Sequence, residues 1–409
     1  MKLLNNKTSI LFLNIYGGGF LPGGTEIFLK NLLKEIREND KKSKFFLATF
    51  NKKNNIYSKY VNIIDDSYLT RFLENYTVLK FQYSYPILGF ITFLWGIVWL
   101  YRTANKILAK EEVNLIYSNG GILSATVAYL LFRKKGIKYL LHFHGLFGFT
   151  ELFNNKKFLI KNYLLKKLAR SFFLNSKGII ANSNDVADDI SGIKELNLRS
   201  TVINCFTDTK LFRPLGQIEC RNKLHLPSDC FIIVSSNRLE SDKRIDFLIN
   251  IAESMRNNNI KFLFIGDGHL RTRVMRLSQK YKNIIWKPQV DNKMLPYYLN
   301  AADITWGVCS LSYLSLTAIE SLACGKPIMA SEIPVSNDLT FAKYVDPETI
   351  PPEIGYLLKE EVKSALKLLN YLKNNRKILK QKEKYCLNHY SKIYGQNNIK
   401  RLKQIIYNN

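Results

Sequence analysis

Ten short runs of mostly apolar, β-prone residues recur along the chain, each four to seven residues long and separated by helical stretches. In the first half they are Ile10–Ile15, Lys44–Phe50, Val113–Ser118, Lys138–His144 and Gly178–Ala181. In the second half they are Phe231–Ser236, Ile260–Ile265, Asn283–Trp286, Asp303–Val308 and Pro327–Ala330. Most are continuous rather than alternating, the pattern of strands covered on both faces in a parallel sheet. Parallel neighbours need crossover helices, so the alternation predicts an α/β fold of two doubly wound units. With 409 residues and 46% hydrophobic content there is material for two cores of about 200 residues each. The predicted division is 1–210, 211–385 and a final segment 386–409, whose Tyr390–Tyr407 stretch reads as helical. The segment Val202–Gly216 carries the chain from the first sheet to the second.

Charge points to an anionic partner. The chain has 60 basic and 33 acidic residues, a net charge of +27, and both halves are basic. Such a surface attracts polyanions, anionic lipid or a phosphorylated substrate. There is no recognisable nucleic-acid-binding motif, and no nucleic-acid partner is expected. The six cysteines have no metal-ligand spacing and read as reduced, buried thiols. The N-terminal apolar run is short and leads into a glycine loop, as a first buried strand does and a signal peptide does not.

The densest chemical signal is Ser310–Ser331, SLSYLSLTAIESLACGKPIMAS. A serine-rich loop enters a short helix that carries Glu320 and stops at Gly325, and a buried strand follows. At the helix start, beside Ser315, the backbone N–H groups of Leu316 and Thr317 are available to phosphate oxygens. Glu320, one turn further on, is placed to accept hydrogen bonds from a ribose diol. Upstream, Arg238 and Lys243 share the loop after the strand Phe231–Ser236, where two cations can neutralise a diphosphate. Gly266 and Gly268 follow the strand Ile260–Ile265. In the first half, five glycines including Gly23 and Gly24 precede an amphipathic helix. His142 and His144 lie on one face of a strand, and Asn119 and Gly120 follow the strand Val113–Ser118.

Together these segments resemble the retaining glycosyltransferases of family 4. Their consensus near the second of two glutamates runs roughly E-G-F-G-L-x-x-x-E-A-M-A-C-G-x-P-V-x-A-S. Glu320, Ala323, Cys324, Gly325, Pro327, Ala330 and Ser331 match it, while Ser312 replaces the first glutamate and Tyr313, Leu314 and Ser315 replace Gly-Phe-Gly. SNRLESDKR resembles G-R-L-x-x-x-K-G, with Asn237 and Arg244 in place of the glycines. GDGHLR resembles G-D-G-P-L-R, and Asp208, Phe212 and Pro214 match the family's interdomain connector. The resemblance implies the GT-B architecture, two Rossmann-like domains, with a final helix that crosses back to the first.

It also implies transfer of a sugar from a nucleotide-diphosphate sugar to an acceptor hydroxyl with retained configuration. Catalytic roles fall to His144, Arg238, Lys243 and Glu320. Gly23, Gly24, Gly266, Ser315, Leu316 and Thr317 join Arg238, Lys243 and Glu320 at the donor, and Asn119, Gly120 and His142 are expected at the acceptor or lining the cleft. The Asp-x-Asp pair of metal-dependent transferases is missing, so no metal and no cofactor beyond the donor substrate are expected. The alternative is a non-catalytic GT-B scaffold.

Two segments face membranes in this reading. Phe81–Tyr101 carries no charge and includes Trp95 and Trp99. It reads as a helix with one greasy face, an interfacial insertion or a short span. The stretch around Phe158–Phe172 combines apolar residues at helical spacing with Lys157, Lys161, Lys166, Lys167 and Arg170, the pattern of an anionic-surface helix. The expected setting is cytoplasmic, peripheral on the inner face of the cell membrane, with a lipid-linked or membrane-surface glycan as acceptor in bacterial surface polysaccharide assembly.

Overall fold

A computed structural model describes residues 8–14, 24–40, 42–49, 62–63, 86–145, 149–154, 160–307, 309–310, 313–331, 350–359 and 361–407. The chain divides into two compact units, Met1–Asn204 with Asn398–Asn409, and Cys205–Asn397. The first boundary falls inside the Val202–Gly216 connector. The second lies twelve residues beyond the predicted 385/386 boundary, because the helix Arg376–His389 packs on the second unit through buried Leu379 and Cys386.

The first unit is built on seven strands: β1 Ser9–Asn14, β2 Lys44–Thr49, β3 Asn62–Ile63, β4 Leu115–Gly120, β5 Lys138–Phe143, β6 Gly178–Ala181 and β7 Thr201–Val202. They lie in the order β3-β2-β1-β4-β5-β6-β7, and every pair is parallel. Order reverses between β1 and β4. All six residues of β1 are buried, which is why its sequence does not alternate. Helices Pro86–Leu108, Ile122–Lys135 and Ile160–Leu174 pack side by side on this unit. The second of these stops at Gly136, which adopts the left-handed conformation (φ 70°) and donates its N–H to Phe132.

The second unit holds β8 Phe231–Ser236, β9 Ile260–Ile265, β10 Ile284–Lys287, β11 Ile304–Trp306, β14 Ile328–Ser331 and β15 Gly355–Leu358, with a small hairpin of β12 Cys309–Ser310 and β13 Tyr313–Leu314. The main sheet runs β10-β9-β8-β11-β14-β15, all parallel, and reverses between β8 and β11. Two doubly wound parallel sheets flanked by helices are the predicted GT-B fold class. In such sheets ligands bind beyond the carboxyl ends of the strands that flank the reversal. That rule selects the ends of β1 and β4 in one unit and of β8 and β11 in the other.

The membrane-facing reading needs one correction. Trp95 is 53% exposed, but Trp99 is only 4% exposed and belongs to the core. Residues four apart on a helix are offset by only about 40°, so Trp99 falls just inside the edge of the buried seam of Leu100, Thr103, Ala104 and Ile107 and Trp95 just outside it. Lys166 also differs from its neighbours, because it donates to the Phe153 carbonyl (2.7 Å) and faces Glu195 at 3.6 Å. Lys167 and Arg170 are exposed. Lys157 and the Lys161 side chain lie outside the described residues. Among the described residues, no helix is long and apolar enough to cross a membrane.

Candidate active site

In the second unit the site begins where β8 ends. Asn237 donates through Nδ2 to the Trp306 carbonyl at 3.1 Å, which ties the loop to the end of β11. Thr317 donates through Oγ1 to the Ser236 carbonyl at 2.8 Å, so the start of the helix Leu316–Ala323 is pinned beside the same loop. Trp306, 1% exposed, donates its indole N–H to the Lys243 carbonyl at 3.2 Å. These three bonds fix the backbone on which Arg238 and Lys243 stand. Both cations reach one oxygen: Arg238 Nη2 and Lys243 Nζ lie 3.0 and 3.1 Å from Asp242 Oδ2.

The helix start is arranged for an anion. Ser315 caps it by accepting from the Ala318 N–H (3.3 Å), and Ile319 donates to the Ser315 carbonyl. The N–H groups of Leu316 and Thr317 have no described partner, and the dipole makes this end positive. Glu320 is buried at 3% exposure. Burial and the neighbouring Glu320 carboxylate push the Cys324 thiol far above its usual range, so this cysteine stays protonated and inert.

Backbone strain concentrates here. Gly266 adopts φ +142°, and a Cβ on it would lie 2.3 Å from the Asn237 carbonyl oxygen. Only glycine fits there. Arg244 holds a left-handed φ of 53°, although the family pattern has glycine at this position. The fold therefore keeps the backbone turn without the residue that adopts it freely, at a cost of about 1–2 kcal/mol. Sequence reasoning missed a latch between this loop and the Gly266–Gly268 turn. Glu240 accepts from the His269 N–H at 3.1 Å and pairs with its ring Nδ1, while His269 Nε2 meets Ser241 Oγ at 3.2 Å.

In the first unit the corresponding place gathers Asn14, Asn119, Gly120, His142 and His144. Gly120 ends β4 with φ 130°. Gly24 opens the helix Gly24–Asn39 and is exposed, while Gly23 lies outside the described residues, as do Ser312 and the rest of that first loop. His144 Nε2 lies 2.8 Å from Asn119 Oδ1, and Asn119 Nδ2 donates to Asn14 Oδ1 at 2.7 Å. Burial drives the His144 imidazole down to about 3 and His142 well below the usual histidine range. Both rings are neutral at physiological pH. Among the described residues no group of three His, Cys, Asp or Glu is placed to hold a metal ion. The five cysteines whose side chains are described, Cys205, Cys220, Cys230, Cys324 and Cys386, are free thiols.

The family model for glycosyl transferases group 1 matches residues 217–390, and that for glycosyltransferase family 4 matches residues 22–211. The chain belongs to the family 4 glycosyltransferases. The first match lies within the second unit, and the other lies mainly in the first. Among relatives of this glycosyltransferase is the alpha-monoglucosyldiacylglycerol synthase of Streptococcus pneumoniae, 22% identical over 248 residues. That match covers 58% of this chain and spans 56% of the relative's length. Its fold is shared with sucrose-phosphate synthase from Thermosynechococcus elongatus (TM-score 0.68, 19% identity, 98% of each chain). It is also shared with Anabaena HepE in complex with UDP (TM-score 0.67, 16% identity, 98% of this chain and 99% of the other).

Proposed function

We propose that this glycosyltransferase moves a sugar from a nucleotide-diphosphate sugar to a hydroxyl of a lipid-linked or membrane-surface glycan, with retention of configuration and without a divalent metal. The observation that carries this reading is the pair Arg238 and Lys243, held on one pinned loop beside the amide-rich start of the helix Leu316–Ala323. When the glycosidic bond to the diphosphate breaks, negative charge grows on the leaving oxygen. Fixed cations and oriented amides stabilise that charge more than they stabilise the ground state, which is what lowers the barrier. Glu320 holds the ribose and His144 orients the sugar. Asp242, bound to both cations, is the internal anion that an incoming diphosphate replaces.

Calorimetric and thermal-shift titration with UDP, GDP, ADP, CMP and their common sugar conjugates, with and without EDTA, tests this reading. One nucleoside diphosphate is expected to bind selectively, and EDTA is expected to change nothing. Absence of binding at millimolar ligand would leave a GT-B scaffold without transferase activity, and a strict metal requirement would refute the cation clamp.

The acceptor side of the reading rests on one surface. Leu94, Trp95 and Val98 are exposed on the helix Pro86–Leu108, and Tyr163 and Leu164 on the helix Ile160–Leu174. Both helices pack against Ile122–Lys135, and the basic Lys167 and Arg170 are exposed on the second. The relative named alpha-monoglucosyldiacylglycerol synthase supports a lipid setting, and the place proposed for this chain is peripheral, at the inner face of the membrane. Each basic residue near an anionic surface contributes about 1 kcal/mol. Replacing Lys167 and Arg170 with alanine should therefore lower partition onto phosphatidylglycerol vesicles about 30-fold. Unchanged partition in a vesicle-flotation assay would remove this face from the membrane.

A further inference from the structure

The ends of β1, β4 and β5 carry a polar chain that runs across the sheet. Asn14 stands opposite Asn119 in the β1–β4 register, and Asn119 opposite His142 in the β4–β5 register. Asn14 is 1% exposed and Asn119 fully buried, so their hydrogen bonds are made out of reach of competing water. The direction of the chain follows from how the Asn119 amide is turned. Asn119 Nδ2 donates to Asn14 Oδ1. That leaves Asn119 Oδ1, which can only accept, facing His144 Nε2 at 2.8 Å. Nε2 must then carry the ring proton, and Nδ1 keeps a bare lone pair.

The ring itself is clamped. His142 stacks on it at 4.1 Å between centroids, with the planes 33° apart. Phe28 packs its edge against both rings at 5.1 and 4.8 Å. His142 is in turn fixed by Tyr117 Oη at 2.6 Å from its Nδ1, while its buried Nε2 has no partner among the described residues. An unsatisfied buried nitrogen costs about 1–3 kcal/mol, so the stack is retained at the expense of stability, as positions that serve a site are.

We propose that Asn14 and Asn119 are positioning residues that lock His144 in the Nε2–H tautomer, so that its Nδ1 accepts a hydrogen bond from a hydroxyl of the donor sugar. The sugar half of this statement rests on the transferase reading; the tautomer half does not. His142 and Tyr117 act one step further back and hold the plane of the ring.

The test uses the full chain with 15N-labelled histidine and two-bond 1H–15N correlation at neutral pH, where five histidines are assignable by single substitutions. His144 is expected to show a protonated Nε2 and a bare Nδ1. Asn14→Leu frees the Asn119 amide to turn and should introduce the Nδ1–H form, whereas Asn14→Asp keeps an acceptor for Asn119 and should restore the original pattern. Kinetically, Asn14→Leu should lower kcat/KM for the donor about five- to ten-fold, the scale of one neutral hydrogen bond, with Asn14→Asp recovering it.

For the sugar half, UDP-glucose, GDP-mannose and ADP-glucose are each compared with the corresponding free diphosphate. The sugar conjugate that binds should shift His144 Nδ1 and its diphosphate alone should not. A resting Nδ1–H tautomer, or an Asn14→Leu spectrum identical to that of the parent, overturns the lock. A conjugate that binds and leaves Nδ1 unmoved overturns the sugar contact. Failure of all three conjugates to bind, with the tautomer as stated, counts against the transferase reading and the sugar contact and leaves the lock standing.

Discussion

Replacing Lys243 with alanine is expected to lower turnover by about 10²–10³-fold, the range measured when one fixed donor is removed from a developing negative charge. The loop should survive the change. Its backbone is held by Trp306 on the Lys243 carbonyl, by Asn237 on the Trp306 carbonyl and by Thr317 on the Ser236 carbonyl, and none of these bonds uses the Lys243 side chain. Arg238→Ala should cost less, because the Arg238 side chain is 62% exposed against 26% for Lys243 and water screens an exposed charge more strongly. The measurement is release of nucleoside diphosphate under saturating donor, read beside the unfolding midpoint. Near-parent turnover in Lys243→Ala with an unchanged midpoint would remove this side chain from the chemistry.

The second large effect is on stability. Arg221 is 2% exposed and uses all its directions: Nε to the Ala301 carbonyl, Nη1 to the carbonyls of Ser228 and Cys230, and Nη2 to Asp303 Oδ2 at 2.8 Å. The same Asp303 oxygen accepts from the Ile232 N–H at 2.7 Å. Arg221→Ala strands a buried carboxylate and three carbonyls, and breaking one side of such a pair costs about 3–5 kcal/mol. Urea unfolding of the full chain should show the second unit melting earlier while the first keeps its transition. Arg221→Met with Asp303→Leu should lose less than Arg221→Ala, because no charge is left uncompensated. A loss below about 1 kcal/mol in Arg221→Ala would contradict the buried-pair account. Asp303 directly precedes β11, so this pair also supports the strand that ends in Trp306.

The strands were legible where apolar runs were continuous. Phe231–Ser236 and Ile260–Ile265 match the observed β8 and β9 to the residue, and Gly178–Ala181 matches β6. β3 and β7, of two residues each, and β15, which opens on Gly355, are too short or too weakly patterned to stand out. The candidate cluster at the ends of β8 and β11 could be proposed from sequence because its residues are local, within Arg238–Lys243 and Ser315–Glu320. Polar pairs made across long stretches of sequence were not legible. Asn14 meets Asn119 across 105 residues, and Arg221 meets Asp303 across 82. Only the sheet brings them together, and nothing in the composition near Asn14 marks it. Asp242, Glu240 and His269 were hidden for another reason: charged residues in an exposed loop look like solvation until their partners are seen. Trp99 was misread because an uncharged run conceals which face of the helix is buried.

The first unit is written in two pieces. Residues 205–397 interrupt it, and its last helix, Gln396–Tyr407, buries Ile399, Leu402 and Ile406. Tyr407 donates to Asp40 at 2.9 Å and Lys403 approaches Glu35. During synthesis from the N-terminus, the second unit therefore has its whole sequence available before the first does. Shortening the chain by this helix removes part of the unit that was begun earliest, and leaves the one made later intact.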